Sequence, residues 1–281
     1  MKVLASTLVT IAPTGAETVK TDCPQLPTTL EELVETARAC EEAGAALIHV
    51  HIRDAEHRPT LDPTRLRDTV QALREQTSLV IQLSTGGSVH DPLDRRLAVL
   101  DAAPDSCSLT CGTTNFGDEV FLNPFPFMSE LYVLAQERQV VPEFELFDLG
   151  HVAALRRLID AHGLPCGGQV HVDFVTGVPG GMPGTPQALL AGVAALPPET
   201  TSWSATGIGR AHLPIAATAV AAGGHLRVGM EDNLVYAKGR PVRHNRELVE
   251  RASSLATLMQ RPPMTTAACR ELLGVRSTTG G

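Results

Sequence analysis

The chain has 281 residues, of which 43% are hydrophobic and 19% charged, and its net charge is −8. This length suits one large domain, since a (β/α)8 barrel needs about 250 residues. An acidic chain without a dense lysine or arginine run is not expected to bind nucleic acid or an anionic membrane as its main partner.

Six scattered cysteines contain no CxxC pair. This pattern favours free thiols in a reducing cytoplasm over a disulfide framework. The apolar run at residues 1–12 stops at Pro13, too early for a signal peptide or a membrane span. We therefore expect it to form a first buried strand.

Apolar stretches of strand length alternate with helical patterns along the whole chain. The predicted strands cover residues 3–10, 46–52, 79–83, 107–110, 143–147, 169–174, 201–204 and 225–229. The predicted helices cover residues 29–43, 63–75, 92–101, 128–138, 152–162, 185–196, 214–222, 245–259 and 266–273. Eight strand–helix pairs predict a single-domain α/β protein, a (β/α)8 TIM barrel over residues 1–281 with a short C-terminal extension. An open doubly wound sheet is the alternative.

Polar residues follow the predicted strands at their carboxyl ends, where barrel enzymes place their active sites. His49 and His51 end the second strand and share one face, because side chains alternate along a strand. Two imidazoles on one face are a suitable pair of ligands for a divalent metal, and stacked polar residues are the alternative. Glu231, just past the eighth strand, completes a His2Glu set if the barrel closes; alternatively it pairs with Arg227.

Seven segments in order carry a resemblance that spans nearly the whole chain. They are residues 12–17, 44–54, 82–87, 108–117, 142–148, 203–210 and 224–233. Together they resemble the β-keto acid cleavage enzymes of the 3-keto-5-aminohexanoate type. The resemblance implies a (β/α)8 barrel that converts a β-keto acid and acetyl-CoA into acetoacetate and an acyl-CoA, and it implies a homotetramer.

The resemblance also implies roles for individual residues. It places zinc ligands at His49, His51 and Glu231, a catalytic serine at Ser84, a threonine lining the site at Thr110, and an arginine–aspartate pair at Arg227 and Asp232. Asp232, oriented by Arg227, is expected to act as general base while Glu231 binds the metal.

Five residues are expected to bind substrate: Glu17, Ser84, Gly87, Thr110 and Glu145. Glu17 matches a carboxylate that faces the substrate's amino group in the aminohexanoate enzyme. Together with Glu143 and Glu145 it would suit a cationic tail, although the last two residues could instead bind partners inside the barrel. We also consider Arg210 a candidate for contact with the CoA phosphates.

Two other functions remain open at this point. A metal-dependent hydrolase or C–C lyase on the same barrel would act without CoA. A non-catalytic barrel that binds a metabolite would need metal only for stability.

Overall fold

Eight parallel strands close into a barrel in the computed structural model, which describes residues 5–276. In chain order the strands are β1 (Val9–Ile11), β2 (Leu47–Val50), β3 (Val80–Leu83), β4 (Ser106–Thr110), β5 (Val141–Leu146), β6 (Val170–Thr176), β7 (Thr200–Gly207) and β8 (His225–Val228). Each strand pairs with the next along the chain, and β8 pairs with β1 to close the ring. The predicted barrel is confirmed, and the open sheet is excluded.

Helices alternate with the strands. They are α1 (Leu30–Glu42), α2 (Pro63–Gln76), α3 (Leu93–Leu97), α4 (Phe125–Arg138), α5 (Leu149–His162), α6 (Pro186–Ala195), α7 (His212–Ala221), α8 (Asn245–Leu258) and α9 (Thr266–Leu273). The start of α1 is a capping box, in which the Thr29 side chain accepts from the Glu32 N–H and the Glu32 side chain accepts from the Thr29 N–H. Among the described residues, no helix is long and apolar enough to cross a membrane.

The first strand differs most from its prediction. It begins at Val9 rather than residue 3, and residues 1–4 lie outside the described part of the chain. Thr7 forms an isolated bridge to Pro263 instead, and the Leu8 N–H donates to Nδ1 of His225. The backbone polar groups of Thr7 and Leu8 are therefore hydrogen-bonded to distant parts of the chain before the barrel strand starts.

The two faces of β5 have different environments. On β5, Phe144 faces outward and stacks on Tyr132 of α4 with ring centres 5.8 Å apart, while Glu143 and Glu145 are buried inside the barrel. A second apolar cluster, at the amino ends of the strands, joins Leu8, Leu47 and Val80 to Cys269 and Leu273 of α9. The C-terminal extension thus covers the end of the barrel opposite the site.

Three two-stranded hairpins follow β2, β4 and β8 at the carboxyl end of the barrel. They pair Ile52–Arg53 with Pro59–Thr60, Thr114–Phe116 with Glu119–Phe121, and Val235–Ala237 with Arg240–Pro241. The predicted second strand therefore ends at Val50, and Ile52 belongs to the first hairpin. These hairpins raise walls around the face on which barrel active sites form.

Candidate active site

A cavity of about 360 Å³ opens at the carboxyl end of the barrel. One part of its wall is polar and carries His49, His51, Ser84, Glu145, Arg227, Glu231 and Asp232, with Glu17 and Gly87 nearby. The other part is apolar and includes Val89, Phe116, Phe121, Phe147, Val175, Val178 and Ile208. A concave site with a few convergent polar groups and an apolar wall is typical of small-molecule binding.

His49 and His51 share a face, as strand alternation requires, with ring centres 5.3 Å apart. His49 is buried, and its Nδ1 is 2.6 Å from Oε1 of Gln82 on the adjacent strand β3. Because the amide oxygen of Gln82 only accepts, this contact assigns the proton to Nδ1 and leaves Nε2 of His49 as a free electron-pair donor.

Glu231 reaches the two histidines from the turn after β8. Its Oε1 lies 3.8 Å from Nε2 of His49 and 3.7 Å from Nε2 of His51. The approach requires a glycine on the first loop, because a Cβ at Gly15 (φ +64°) would lie 2.6 Å from Cγ of Glu231. Closure of the barrel therefore joins residues from β2 and from the end of β8 in one cluster.

These three side chains fit a divalent metal. One ligand atom from each, in His49, His51 and Glu231, lies within 4.8 Å of the others. Oε2 of Glu231 is buried and has no hydrogen-bond partner among the described residues. Burial opposes ionisation of Glu231, but the charge of Arg227, with smaller contributions from His51 and His49, outweighs burial and lowers the pKa of Glu231 to about 2. Two neutral imidazoles and one carboxylate are a donor set found in catalytic zinc sites.

Arg227 on β8 joins three carboxylates at the floor of the cavity. It donates to both oxygens of Asp232, at 3.1 and 3.0 Å, and to Oε1 of Glu145 at 3.2 Å. It also donates to Oε1 of Glu231. Burial disfavours the charged guanidinium, but the surrounding carboxylates more than compensate and raise the pKa of Arg227. Arg227 therefore fixes the metal-ligand candidate and the two neighbouring acids in one network.

Asp232 and Glu145 have acidities unlike those of ordinary carboxyl groups. Burial is the main cause that raises the pKa of each to about 7, and Arg227 only partly offsets it. Buried acids with pKa values near neutrality are suited to proton transfer. Asp232 lines the cavity beside Glu231, which places a basic oxygen next to the candidate metal position.

Comparison with known proteins identifies the family. The profile described as beta-keto acid cleavage enzyme matches residues 6–275. The chain belongs to the β-keto acid cleavage enzyme family.

The alignments with two relatives of known name extend over nearly the whole chain. It is 37% identical over 270 residues to a 3-keto-5-aminohexanoate cleavage enzyme of Acetoanaerobium sticklandii, which covers 95% of this chain and 98% of that protein. It is 33% identical over 274 residues to a 3-oxoadipate:acetyl-CoA acetyltransferase of Cupriavidus necator, over 96% of this chain and 95% of that protein. Its fold is similar to that of ObcA in complex with oxaloacetate, with a TM-score of 0.77 and 20% identity over 90% of this chain and 68% of that chain.

The family's expected substrate residues lie at different depths in this chain. Ser84 and Gly87 line the cavity, and Glu17 lies exposed at its edge. Thr110 is buried behind Glu145, to which its hydroxyl donates at 2.7 Å, and it is not part of the cavity lining. The structure thus places Thr110 where it can orient Glu145.

The two alternatives for Glu143 are decided by its position. Glu143 does not line the cavity: it is buried inside the barrel with an oxygen 3.3 Å from Nε2 of His171, which matches the alternative of a partner in the barrel interior. His171 and Asp173 on β6 also lie outside the cavity lining, and serine and threonine hydroxyls on β7 contact them. The pairing of β5 with β6 brings these groups together below the cavity floor.

Sequence reasoning missed the groups that orient the site. Gln82 was seen only as part of a motif, although it binds His49 from the next strand. The aromatic wall was missed as well: Phe116, Phe121 and Phe147 contact one another edge to face, with ring centres 6.2 to 6.5 Å apart. Their positions after β4 and β5, on loops at the catalytic end, were an available signal.

Proposed function

We propose that this protein condenses a β-keto acid with acetyl-CoA to give acetoacetate and an acyl-CoA, using Zn²⁺ or another divalent metal. One observation carries the proposal: the His49, His51 and Glu231 cluster lies beside the Arg227–Asp232 pair in a single cavity at the carboxyl end of the barrel. Family membership and the acetyl-CoA-dependent relative support the reaction class.

His49, His51 and Glu231 would hold the metal. When bound, the ion would polarise the keto and carboxylate oxygens of the β-keto acid and so make the carbon between them more acidic. Gln82 keeps the His49 ring in the required tautomer, and Arg227 keeps Glu231 ionised.

Asp232 is the proposed general base. It lines the cavity, and its bidentate contact with Arg227 restricts its carboxylate to one orientation. Asp232 takes a proton from the carbon between the two carbonyl groups, and that carbon then bonds to the acetyl carbonyl as the CoA thiolate leaves. The thiolate next attacks the original keto carbon. Cleavage of the adjacent carbon–carbon bond gives acyl-CoA and acetoacetate, and the proton returns from Asp232.

Ser84 is placed to stabilise negative charge on a reacting oxygen. Its Oγ accepts from the Gly86 N–H at 3.2 Å, which leaves its own proton for a bound ligand. A hydroxyl fixed in this way is a preorganised donor for an oxyanion. Thr110 contributes by holding Glu145 rather than by touching the ligand.

The decisive assay supplies purified protein with a panel of β-keto acids, with and without acetyl-CoA labelled in its acetyl group. We expect turnover only with acetyl-CoA, and the label in acetoacetate rather than in the acyl-CoA. Turnover that ignores acetyl-CoA would support a hydrolase or lyase. No turnover with any β-keto acid, with metal bound, would favour a binding protein.

A homo-oligomer in the cytoplasm stays a prediction. Light scattering of the purified protein tests the oligomeric state, with the tetramer as the expected result.

A further inference from the structure

Arg96 of α3 lies outside the cavity, yet it joins the two loops that border it. It is 2% exposed. Its Nε donates to the carbonyl of Thr85 at 2.7 Å, just after β3. Its Nη1 donates to the carbonyl of Leu122 at 2.7 Å, and its Nη2 donates to Oδ1 of Asn123 at 2.5 Å, just after the 114–121 hairpin. The buried guanidinium of Arg96 therefore connects the loop after β3 with the end of the hairpin after β4.

The guanidinium of Arg96 also packs against aromatic rings. Its carbon lies 4.8 Å from the ring centre of Phe121 and 4.5 Å from that of Phe127. At these distances a desolvated cation is attracted to the ring face. Burial lowers the pKa of Arg96 to about 10, so the side chain stays charged at neutral pH. Phe121 itself lines the cavity.

Phe121 and Ser84 meet at Gly86. A Cβ added to Gly86 would lie 3.1 Å from Cζ of Phe121 and 3.2 Å from Oγ of Ser84. The ring thus rests directly on the backbone of the loop that carries the catalytic hydroxyl, and the Gly86 N–H donates to that hydroxyl. Any shift of the hairpin relative to this loop would move Ser84.

From these contacts we infer that Arg96 is a positioning residue, which fixes Ser84 by holding the 84–87 loop and the 114–121 hairpin together. Its kinetic consequence rests on the proposed function; its structural consequence does not. A displacement of about 1 Å at a reacting group can cost up to about a hundredfold in rate, so a loosened loop should lower turnover.

Arg261 provides a matched control. It is also buried, and it donates to the backbone carbonyls of Val220, Gly223 and Gly224. These carbonyls precede β8, at the amino end of the barrel and away from the cavity. Arg96→Lys and Arg261→Lys each keep the charge and lose part of the carbonyl contacts, so both should lower Tm.

The test compares wild type, Arg96→Lys and Arg261→Lys in metal-loaded form. It measures Tm, metal content, kcat and KM for the β-keto acid, and amide hydrogen exchange in residues 84–91 and 114–123. We expect faster exchange in both segments only in Arg96→Lys, with kcat reduced about tenfold or more and metal content unchanged. Arg261→Lys should change Tm alone.

Each outcome separates the inference from the proposed function. Unchanged amide hydrogen exchange in Arg96→Lys overturns the inference that Arg96 holds the loop and the hairpin together. Faster exchange with kcat within about twofold of wild type, or an equal loss of kcat in Arg261→Lys, overturns the positioning role. Absence of acetyl-CoA-dependent turnover in wild type contradicts the proposed function. The comparison of hydrogen exchange still tests whether Arg96 holds the loop and the hairpin together. If Arg96→Lys does not fold, Asn123→Ser takes its place: it removes the Nη2 acceptor, together with the contacts of the Asn123 amide nitrogen to the carbonyls of Gly112 and Phe121.

Discussion

Arg227 holds Asp232 by two hydrogen bonds, from Nε at 3.1 Å and from Nη2 at 3.0 Å. Asp232 directly follows Glu231, a candidate metal ligand, in the chain. Two adjacent carboxylates therefore have different roles in the proposed mechanism. Glu231 turns toward the histidines, and Asp232 faces the cavity as the proton acceptor.

Asp232→Asn tests this division. The amide keeps the size of the side chain but cannot accept the proton, so kcat should fall by about a hundredfold or more. Metal content, measured by elemental analysis, should stay at that of wild type. Loss of metal in Asp232→Asn would show that the division of roles between Glu231 and Asp232 is wrong. Glu231→Gln is the matched variant and should lose metal.

Gln82→Leu tests the orientation of His49. Without the acceptor at 2.6 Å from Nδ1, the imidazole is free to adopt the other tautomer, and metal affinity should fall by about 10- to 100-fold. Competition with a chelator measures the affinity. Gln136→Leu removes a glutamine that donates to the carbonyls of His162 and Leu164, far from the cluster, and should leave the affinity unchanged. Equal affinities in wild type and Gln82→Leu would contradict the assignment.

The charge of the substrate tail should decide turnover. Arg227 is the only lysine or arginine that lines the cavity within residues 5–276, and three carboxylates already surround it. We expect kcat/KM for 3-oxoadipate to be at least about tenfold below that for 3-oxohexanoate, whose six-carbon chain lacks the second carboxylate.

Ile208→Lys, which adds a cation to the cavity wall, should reduce the difference in kcat/KM between 3-oxohexanoate and 3-oxoadipate. Steady-state kinetics on the two acids give both ratios. Faster turnover of 3-oxoadipate by wild type would contradict this view of the cavity.

Stability should fall in mild acid because of His212 at the start of α7. Burial, assisted by Arg251, lowers the pKa of His212 to about 4 in the folded protein. An unfolded histidine has a pKa of about 6.5, so between these values the unfolded chain binds more protons. The free energy of unfolding should therefore decrease as pH falls from about 6.5 to about 4, by up to about 3 kcal/mol from this group.

His212→Gln should flatten that part of the curve relative to wild type, as measured by urea unfolding at a series of pH values. His90→Gln, at an exposed position, serves as the control and should leave the slope unchanged. A His212→Gln curve parallel to that of wild type would refute the assignment.

The local pattern of the chain was enough to predict the barrel and the shared face of His49 and His51. The alternation of apolar stretches with helical segments predicts eight strand–helix pairs, and the period of two places His49 and His51 on one face. Both follow from neighbours in the chain. The N-cap at Thr29 is local in the same way, because the capping box spans only four residues.

Contacts between residues far apart in the chain were decided only by the tertiary structure. Glu145 meets Arg227 across 82 positions, and His49 meets Gln82 across 33. A pattern of residue types says which face a side chain occupies, but not its height in the barrel or its partner on the next strand. The register between strands sets both, and it placed Glu143 below the cavity floor and Thr110 behind Glu145. Arg96 is the extreme case, because only the folded chain brings the 84–87 loop and the 114–121 hairpin to one buried cation.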